Sequence, residues 1–308
     1  MRRPLFSLER GRSVIAEGPA RPYSLAEAYT YCRRLARSHY ENFTVASWLL
    51  PRTLRPHMYA VYAYCRGVDD LGDEAEGDRL ALLDDWGAEV RRCYDGSPRH
   101  PAFVALRETI HRFDIPQEPF LRLIEANRMD QRVNRYRTYG ELLGYCENSA
   151  NPVGHLVLHL FGYRDEERQR LSDATCTALQ LTNFWQDVRR DLDKGRIYIP
   201  LEEMERFGYS EADLLEGRFD GRFQDLMAFQ VERTRELFRK GLELIAEVRG
   251  RLRLDLRLFS LGGLAVLDAI EAIDYNVLHQ RPKLSRARKA WLAVRGLLPL
   301  PVRVKGAS

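Results

Sequence analysis

Apolar residues recur every three to four positions along most of this chain, with polar residues on the intervening faces, which is the pattern of amphipathic helices. Helix starts are well marked. Ser24-Leu25-Ala26-Glu27 has the form of a capping box and predicts a helix through about residue 40, and Ser210-Glu211-Ala212-Asp213 marks another start. Pro51 and Pro56 punctuate the entry to a helix carrying Met58, Val61, Tyr62 and Cys65. The turn Asp95-Gly96-Ser97-Pro98 separates two further helices, and Ile115-Pro116 with Glu118-Pro119 introduces one to about residue 135. Helical periodicity continues over 138–160, 165–193, 223–249, 256–278 and 284–295. Asn151-Pro152-Val153-Gly154 interrupts the first of these as a kink or as a turn between two helices, because proline lacks an amide donor. Strand-like alternation is nearly missing. With no internal repeat and no Pro/Gly/Ser-rich linker, the pattern predicts one all-α domain over 24–296, a flexible leader over 1–23 and a tail over 297–308.

Two acidic segments stand out against this helical background. Asp69-Asp70-Leu71-Gly72-Asp73-Glu74 places Asp69, Asp70 and Asp73 at helical spacing, and Asn183, Asp187 and Asp191 share a face in a second segment far along the chain. Like charges so placed repel by roughly 0.2–0.5 kcal/mol per pair even when exposed. A bound cation relieves that repulsion. Oxygen donors without His or Cys suit a hard ion, and Mg²⁺ takes few carboxylates while keeping water or phosphate oxygens. Either cluster alone is equally well a solvated helix face; two together point to metal ions clamping a diphosphate. Arg66, one turn before Asp69 and Asp70, has the geometry to grip diphosphate oxygens or to form an intrahelical salt bridge. Gln180 lies on the Asp187 face, and Lys194 and Arg196 belong to a basic loop over 194–200 suited to closing over an anion.

Composition narrows the class. The 308 residues are 45% hydrophobic and 30% charged with a net charge of +4, which fits a globular protein; the basic-aromatic patches of a nucleic-acid binder are absent. Cys32, Cys65, Cys93, Cys146 and Cys176 are odd in number and widely spaced, so they suggest neither a disulfide framework nor a zinc site, and a reducing cytoplasm is the simple reading. The first residues lack the apolar run of a signal peptide, and no stretch is long enough to span a membrane. Residues 289–305 mix apolar and basic side chains, a composition suited either to resting on an anionic membrane surface or to packing as a terminal helix.

These motifs resemble the squalene/phytoene synthase family. Tyr62-Ala63-Tyr64-Cys65-Arg66-Gly67-Val68-Asp69-Asp70-Leu71-Gly72-Asp73-Glu74 resembles its first aspartate-rich motif. Gln180-Leu181-Thr182-Asn183-Phe184-Trp185-Gln186-Asp187, on through Asp191 to Gly195-Arg196-Ile197-Tyr198-Ile199-Pro200, resembles the second, and Tyr145-Cys146 with Val153-Gly154 fits the middle motif. Within the family the similarity is greatest to the hydroxysqualene synthase branch: His39-Tyr40-Glu41-Asn42-Phe43 stands where other branches have a Ser-rich stretch, Ser149-Ala150-Asn151-Pro152-Val153-Gly154 replaces Val-Ala-Gly-x-Val-Gly, Gln186 replaces Arg, and Gly262-Gly263 stands where others often have Tyr.

The resemblance implies an all-α isoprenoid (terpenoid) synthase bundle with a central cavity, and Mg²⁺ held by Asp69, Asp70, Asp73, Asn183, Asp187 and Asp191. It implies an isoprenoid diphosphate substrate bound by Arg66, Gln180, Lys194 and Arg196, with ionisation of presqualene diphosphate, rearrangement and capture of water. NADPH is not expected. Functional coupling to a presqualene diphosphate synthase and to a hydroxysqualene-reducing enzyme follows from the same reading, as does a cytoplasmic location, with peripheral membrane contact left open. Tyr62, Phe43 and Tyr145 are candidates for stabilising a carbocation with their π faces. Asn148 and Asn151 stand where relatives have Tyr and Gly and are candidates for holding the quenching water, or are plain helix caps at a break. Asp130 falls where the family tends to carry an acid. The competing readings are head-to-head condensation of two farnesyl diphosphates to presqualene diphosphate, squalene or a phytoene-type product, and a non-catalytic assembly homologue, which would be expected to have lost the carboxylates.

Overall fold

The computed structural model describes residues 22–38, 50–298 and 301–305; Phe43 and its neighbours in the 39–43 motif, and nearly all of the leader, lie outside them. The described chain is all-α and forms two compact units, one from residues up to 132 together with 155–164, the other from 133–154 together with 165 onward.

The first unit contains α1 (Leu25–Ser38), α2 (Arg55–Asp73), α3 (Arg79–Asp95), α4 (Pro101–Phe113) and α5 (Glu118–Met129). The capping box at Ser24 forms as its sequence predicts: the Ser24 amide and hydroxyl donate to the Glu27 carboxylate at 2.9 and 2.8 Å, and the Glu27 amide donates back to Ser24 Oγ. α2 opens with Pro56 in its first turn, where a missing N–H costs no helical bond. Its Val61, Tyr64, Val68 and Leu71 recur at helical spacing and are buried with Trp86, Phe103, Phe120 and Ile124. The Tyr64 hydroxyl satisfies itself by donating to the Phe120 carbonyl at 2.6 Å. Gly67 is the close-approach point of α2 and α3, since a Cβ there would lie 2.4 Å from the Trp86 ring. Burying this stripe leaves Tyr62, Arg66, Asp69 and Asp73 on the opposite face of α2.

The second unit contains α6 (Tyr139–Ser149), the start of α7 (Asn151–Leu160), α8 (Glu166–Asp193), α9 (Leu201–Arg206), α10 (Glu211–Leu215), α11 (Gly221–Gly241), α12 (Leu244–Glu247), α13 (Gly250–Glu271) and α14 (Arg286–Leu297). Asp165 caps α8 by accepting from the Arg168 amide at 3.0 Å. Leu171, Ala174, Ala178, Leu181, Trp185 and Val188 then form a buried stripe, and α8 packs against α11 and α13. Trp185 donates from its indole nitrogen to Thr234 Oγ1 at 2.8 Å and is fully buried, so this tryptophan is a core residue. Val302 packs with Leu261, Ala265 and Leu292, and the Lys305 carbonyl accepts from Arg239, so residues 301–305 lie against this unit.

Several helix bounds differ from the periodicity. α5 ends at Met129 rather than near 135, because Asn134 and Tyr136 give their carbonyls to the amides of Ile197 and Leu201 at 2.9 and 3.0 Å, which takes that backbone out of helical bonding. The interruption at 151–154 is a one-residue break at Ala150, with Pro152 in the first turn of α7. The segment 223–249 divides at Leu242, and α13 runs from Gly250 rather than 256 and stops before Asp274 and Tyr275, whose φ of 52° and 62° no helix continues through. Among the described residues, β pairing is limited to an isolated parallel bridge between Arg135 and Ile197.

Candidate active site

The face of α2 turned away from its core presents Tyr62, Arg66, Asp69 and Asp73 in one line, and Asp70 lies to the flank. Arg66 pairs with Asp70 at 2.5 Å and with Glu74 at 3.1 Å, so the intrahelical salt bridge is formed. Asp69 is exposed at its surface, yet surrounding protein displaces much of its bulk solvent. Its carboxyl is pushed up to about 7, chiefly by that desolvation, opposed by a hydrogen bond from Asn127 and by the Arg66 charge and reinforced by Asp73 and Asp70. Tyr62 is half-buried, and desolvation likewise raises its hydroxyl.

Asn127, on α5, is a residue the sequence reading passed over. It is buried beside Asp69, its amide donating also to the Leu123 carbonyl at 3.1 Å. The glycine of the acidic motif exists for its sake: a Cβ on Gly72 would lie 2.1 Å from Asn127 Oδ1. Gln131 completes the support by donating to the carbonyls of Gly72 and Asn127 at 2.9 and 3.1 Å. Asp130, at the C-cap of α5, is half-buried beside this group in the chain. The signal for Asn127 lay three positions before Asp130, where the resemblance already drew attention to an acid.

On α8, Gln180, Asn183, Asp187 and Asp191 share a face through steps of three and four residues, as the α2 line does. Asn183 is exposed; Gln180, Asp187 and Asp191 are half-buried. The helix leaves ideal dihedrals at Asp187, with φ −109° and ψ 15°. Asp187 is held by Arg281, a second residue missed from sequence, through a two-pronged contact from Nε at 2.5 Å and Nη2 at 3.0 Å. Gln186 fastens the same strand by donating to the Pro282 carbonyl at 2.8 Å. Nearly a hundred positions separate these partners, which is why no local pattern announced them.

The loop carrying Lys194 and Arg196 is fastened. The Arg196 amide donates to the Asp191 carbonyl at 2.8 Å, Ile197 is paired with Asn134, and Arg135 donates to the Gly195 carbonyl at 2.6 Å while pairing with Glu211 at 2.7 Å. Lys194 remains exposed and Arg196 half-buried. Behind the loop Tyr145 is buried in an aromatic group with Tyr136, Phe184 and Tyr198, its centroid 5.6, 6.1 and 5.9 Å from theirs, and Phe184 stacks on Tyr198 at 3.8 Å. Of the two asparagines at the helix break, Asn148 donates to the Gly144 carbonyl within its own helix at 2.9 Å, and buried Asn151 accepts from Thr177 Oγ1 at 2.9 Å. Asn151 thereby ties α7 to α8.

Among the described residues no three His, Cys, Asp or Glu side chains gather closely enough to cage an ion by themselves. The donor set of the α2 line nevertheless suits Mg²⁺. Its atoms are hard oxygens, few in number, and the desolvated Asp69 carboxyl is one whose charged form a cation would restore.

Residues 36–288 match the squalene/phytoene synthase family model. The chain belongs to that family. It is therefore an isoprenoid-pathway enzyme with the all-α terpenoid-synthase fold that the motifs implied. The phytoene synthase of Arthrospira platensis is 34% identical over 279 residues, covering 84% of this chain and 89% of its own. The 15-cis-phytoene synthase of Synechococcus elongatus is 33% identical, covering 94% and 98%. Among solved structures, squalene synthase HpnC from Alicyclobacillus acidocaldarius is 52% identical with a TM-score of 0.80, covering 82% of this chain and 96% of that one. A dehydrosqualene synthase in complex with ligand is 25% identical with a TM-score of 0.80, covering 88% and 96%.

Proposed function

We propose that this member of the family ionises presqualene diphosphate and captures water to release hydroxysqualene and diphosphate. The observation that carries the reading is the α2 line, Arg66 with Asp69 and Asp73, buttressed by Asn127; the choice of branch is supported by the departures at 149–154 and Gln186 and by the 52% identity to the HpnC protein. In the step, the carbon–oxygen bond to diphosphate breaks with its electron pair leaving on oxygen, the cation rearranges, and a water oxygen supplies the pair that closes the new bond as its proton departs. Divalent metal bound at the acidic residues supplies neutralisation of the charge developing on diphosphate. Arg66 would add donors to diphosphate oxygens at the α2 line and Arg196 is a further candidate donor, while the half-buried ring of Tyr62 and the buried aromatic group of Tyr145 are the candidate π faces for a cation. Asn148 and Asn151 are the candidates for orienting water; for Asn151 this would displace the bond its carbonyl oxygen accepts from Thr177.

Head-to-head condensation of two prenyl diphosphates is the second reading, favoured by the names of the curated relatives, which are phytoene synthases. Incubating the protein with Mg²⁺ and either presqualene diphosphate or farnesyl diphosphate, without NADPH and in ¹⁸O-water, separates the two. A labelled triterpene alcohol from presqualene diphosphate is the expected product; turnover of farnesyl diphosphate alone, or a hydrocarbon without label, overturns the assignment.

A further inference from the structure

Helix α14 has two apolar faces. Its inner one is accounted for: Leu292 packs with Leu261 and Ala265, and Gly296 lies so close to α13 that a Cβ would come within 2.3 Å of Leu258. The outer face has no such partner among the described residues. Trp291, Val294 and Leu297 are 46, 59 and 60% exposed, and Ala287 and Ala290 lie exposed on the same arc. A helix packed on a water-soluble domain normally turns charge outward, and clustered exposed apolar residues mark a surface that meets something.

Charge frames the arc. Arg288 and Arg295 flank it on one side, their guanidiniums 4.7 and 5.1 Å from the Trp291 ring centre, and Arg286 stands on the other. From residue 283 to 305 the chain has no Asp or Glu. Arg288 and Lys305 are partly neutralised by Asp268, at 3.8 Å each, but Arg286, Lys289 and Arg295 have no ion pair among the described residues. Beyond the end of the helix, Leu297, Leu298, Pro301 and Val302 continue as one wall of an open groove of about 570 Å³, whose other wall includes Leu242, Ile245 and Leu254.

We infer that the outer face of α14 docks the protein on an anionic lipid surface, with Trp291, Val294 and Leu297 entering the interface and Arg286 and Arg295 meeting the headgroups. The chemistry fits on both counts: tryptophan and aliphatic side chains partition into the headgroup boundary, and unpaired cations around them add attraction to negative lipid. The inference rests on α14 alone and stands whichever prenyl reaction the active site performs.

Co-sedimentation of the full chain with vesicles of phosphatidylcholine, with and without phosphatidylglycerol, tests it. Salt-sensitive binding to the anionic vesicles is expected, weakened at least about ten-fold by Trp291→Ser/Val294→Ser and also by Arg286→Glu/Arg295→Glu, which leaves the apolar arc intact. Circular dichroism melts of both variants confirm that they fold. Equal binding to neutral vesicles, no binding, or binding unchanged in folded variants overturns the proposal. So does a dimer in sedimentation velocity that the apolar variant dissociates while vesicles bind nothing, which would assign the face to a second copy of the chain.

Discussion

Gly72 and Arg281 show how single residues set the acidic lines. Alanine at position 72 places a methyl group 2.1 Å from Asn127 Oδ1, so the amide must swing away from Asp69. Gly72→Ala is expected to lower kcat about ten-fold or more and to cost roughly 1–3 kcal/mol of stability by overpacking. In the Gly72→Ala/Asn127→Ala double variant the stability returns while the activity does not, which thermal melts and steady-state assays check. Arg281 occupies Asp187 from both prongs, so a divalent ion binding there would compete with the guanidinium for one carboxylate. Arg281→Met is expected to lower Tm by a few degrees in metal-free buffer, and Mg²⁺ should raise Tm more in the variant than in the parent protein; melts with and without Mg²⁺ decide it, equal shifts refuting the competition. Sequence alone supplied the carboxylates of both lines but not Asn127 or Arg281, because a buttress is defined by what it touches after folding and carries no spacing of its own.

At the level of the helix, caps and stripes decide position. α4 starts at His100, whose Nδ1 accepts from the Ala102 amide at 3.2 Å, while its own amide donates to buried Glu89 at 3.0 Å. Burial holds this imidazole neutral and pushes it down to about 4. The unfolded chain takes up the proton near the ordinary value of 6.5 and the folded chain only near 4, so the contribution of His100 to stability is present above pH 6.5 and is lost as pH falls to 4, by at most roughly 3 kcal/mol. His100→Asn keeps a capping oxygen without the titration and is expected to flatten that part of the pH profile, as denaturant melts between pH 4 and 7 would report. The capping boxes at Ser24 and Ser210 formed where their sequences put them, since both halves of each box lie within four residues. Helix ends governed by distant pairing did not: α5 stops early because the backbone of 134–136 bonds to residues 197 and 201.

Over the whole molecule, the two acidic lines belong to different compact units, α2 to the first and α8 to the second. If both serve one reaction, Asp73→Asn and Asp191→Asn should each reduce kcat about 10²-fold or more while shifting Tm less than an alanine would, because asparagine keeps the side chain's size and hydrogen-bonding oxygen and removes the charge the transition state would use. Loss of activity in only one of them would confine the metal chemistry to that unit. Family membership makes the shared role the expectation, and product analysis from presqualene diphosphate supplies the readout for both variants.

The sequence by itself determined that this protein is helical, where most helices begin, and which carboxylates and arginine share a helix face, because amphipathic period, capping and i, i+4 spacing are local properties. The tertiary structure decided which of those groups are braced or already paired: Arg66 with Asp70, Asp187 with Arg281, Asp69 beside Asn127, Asn151 with Thr177. It also decided that α14 turns apolar side chains both inward and outward. A helical wheel shows that two faces are apolar, but only packing against α13 shows which of them is covered and which stays exposed among the described residues.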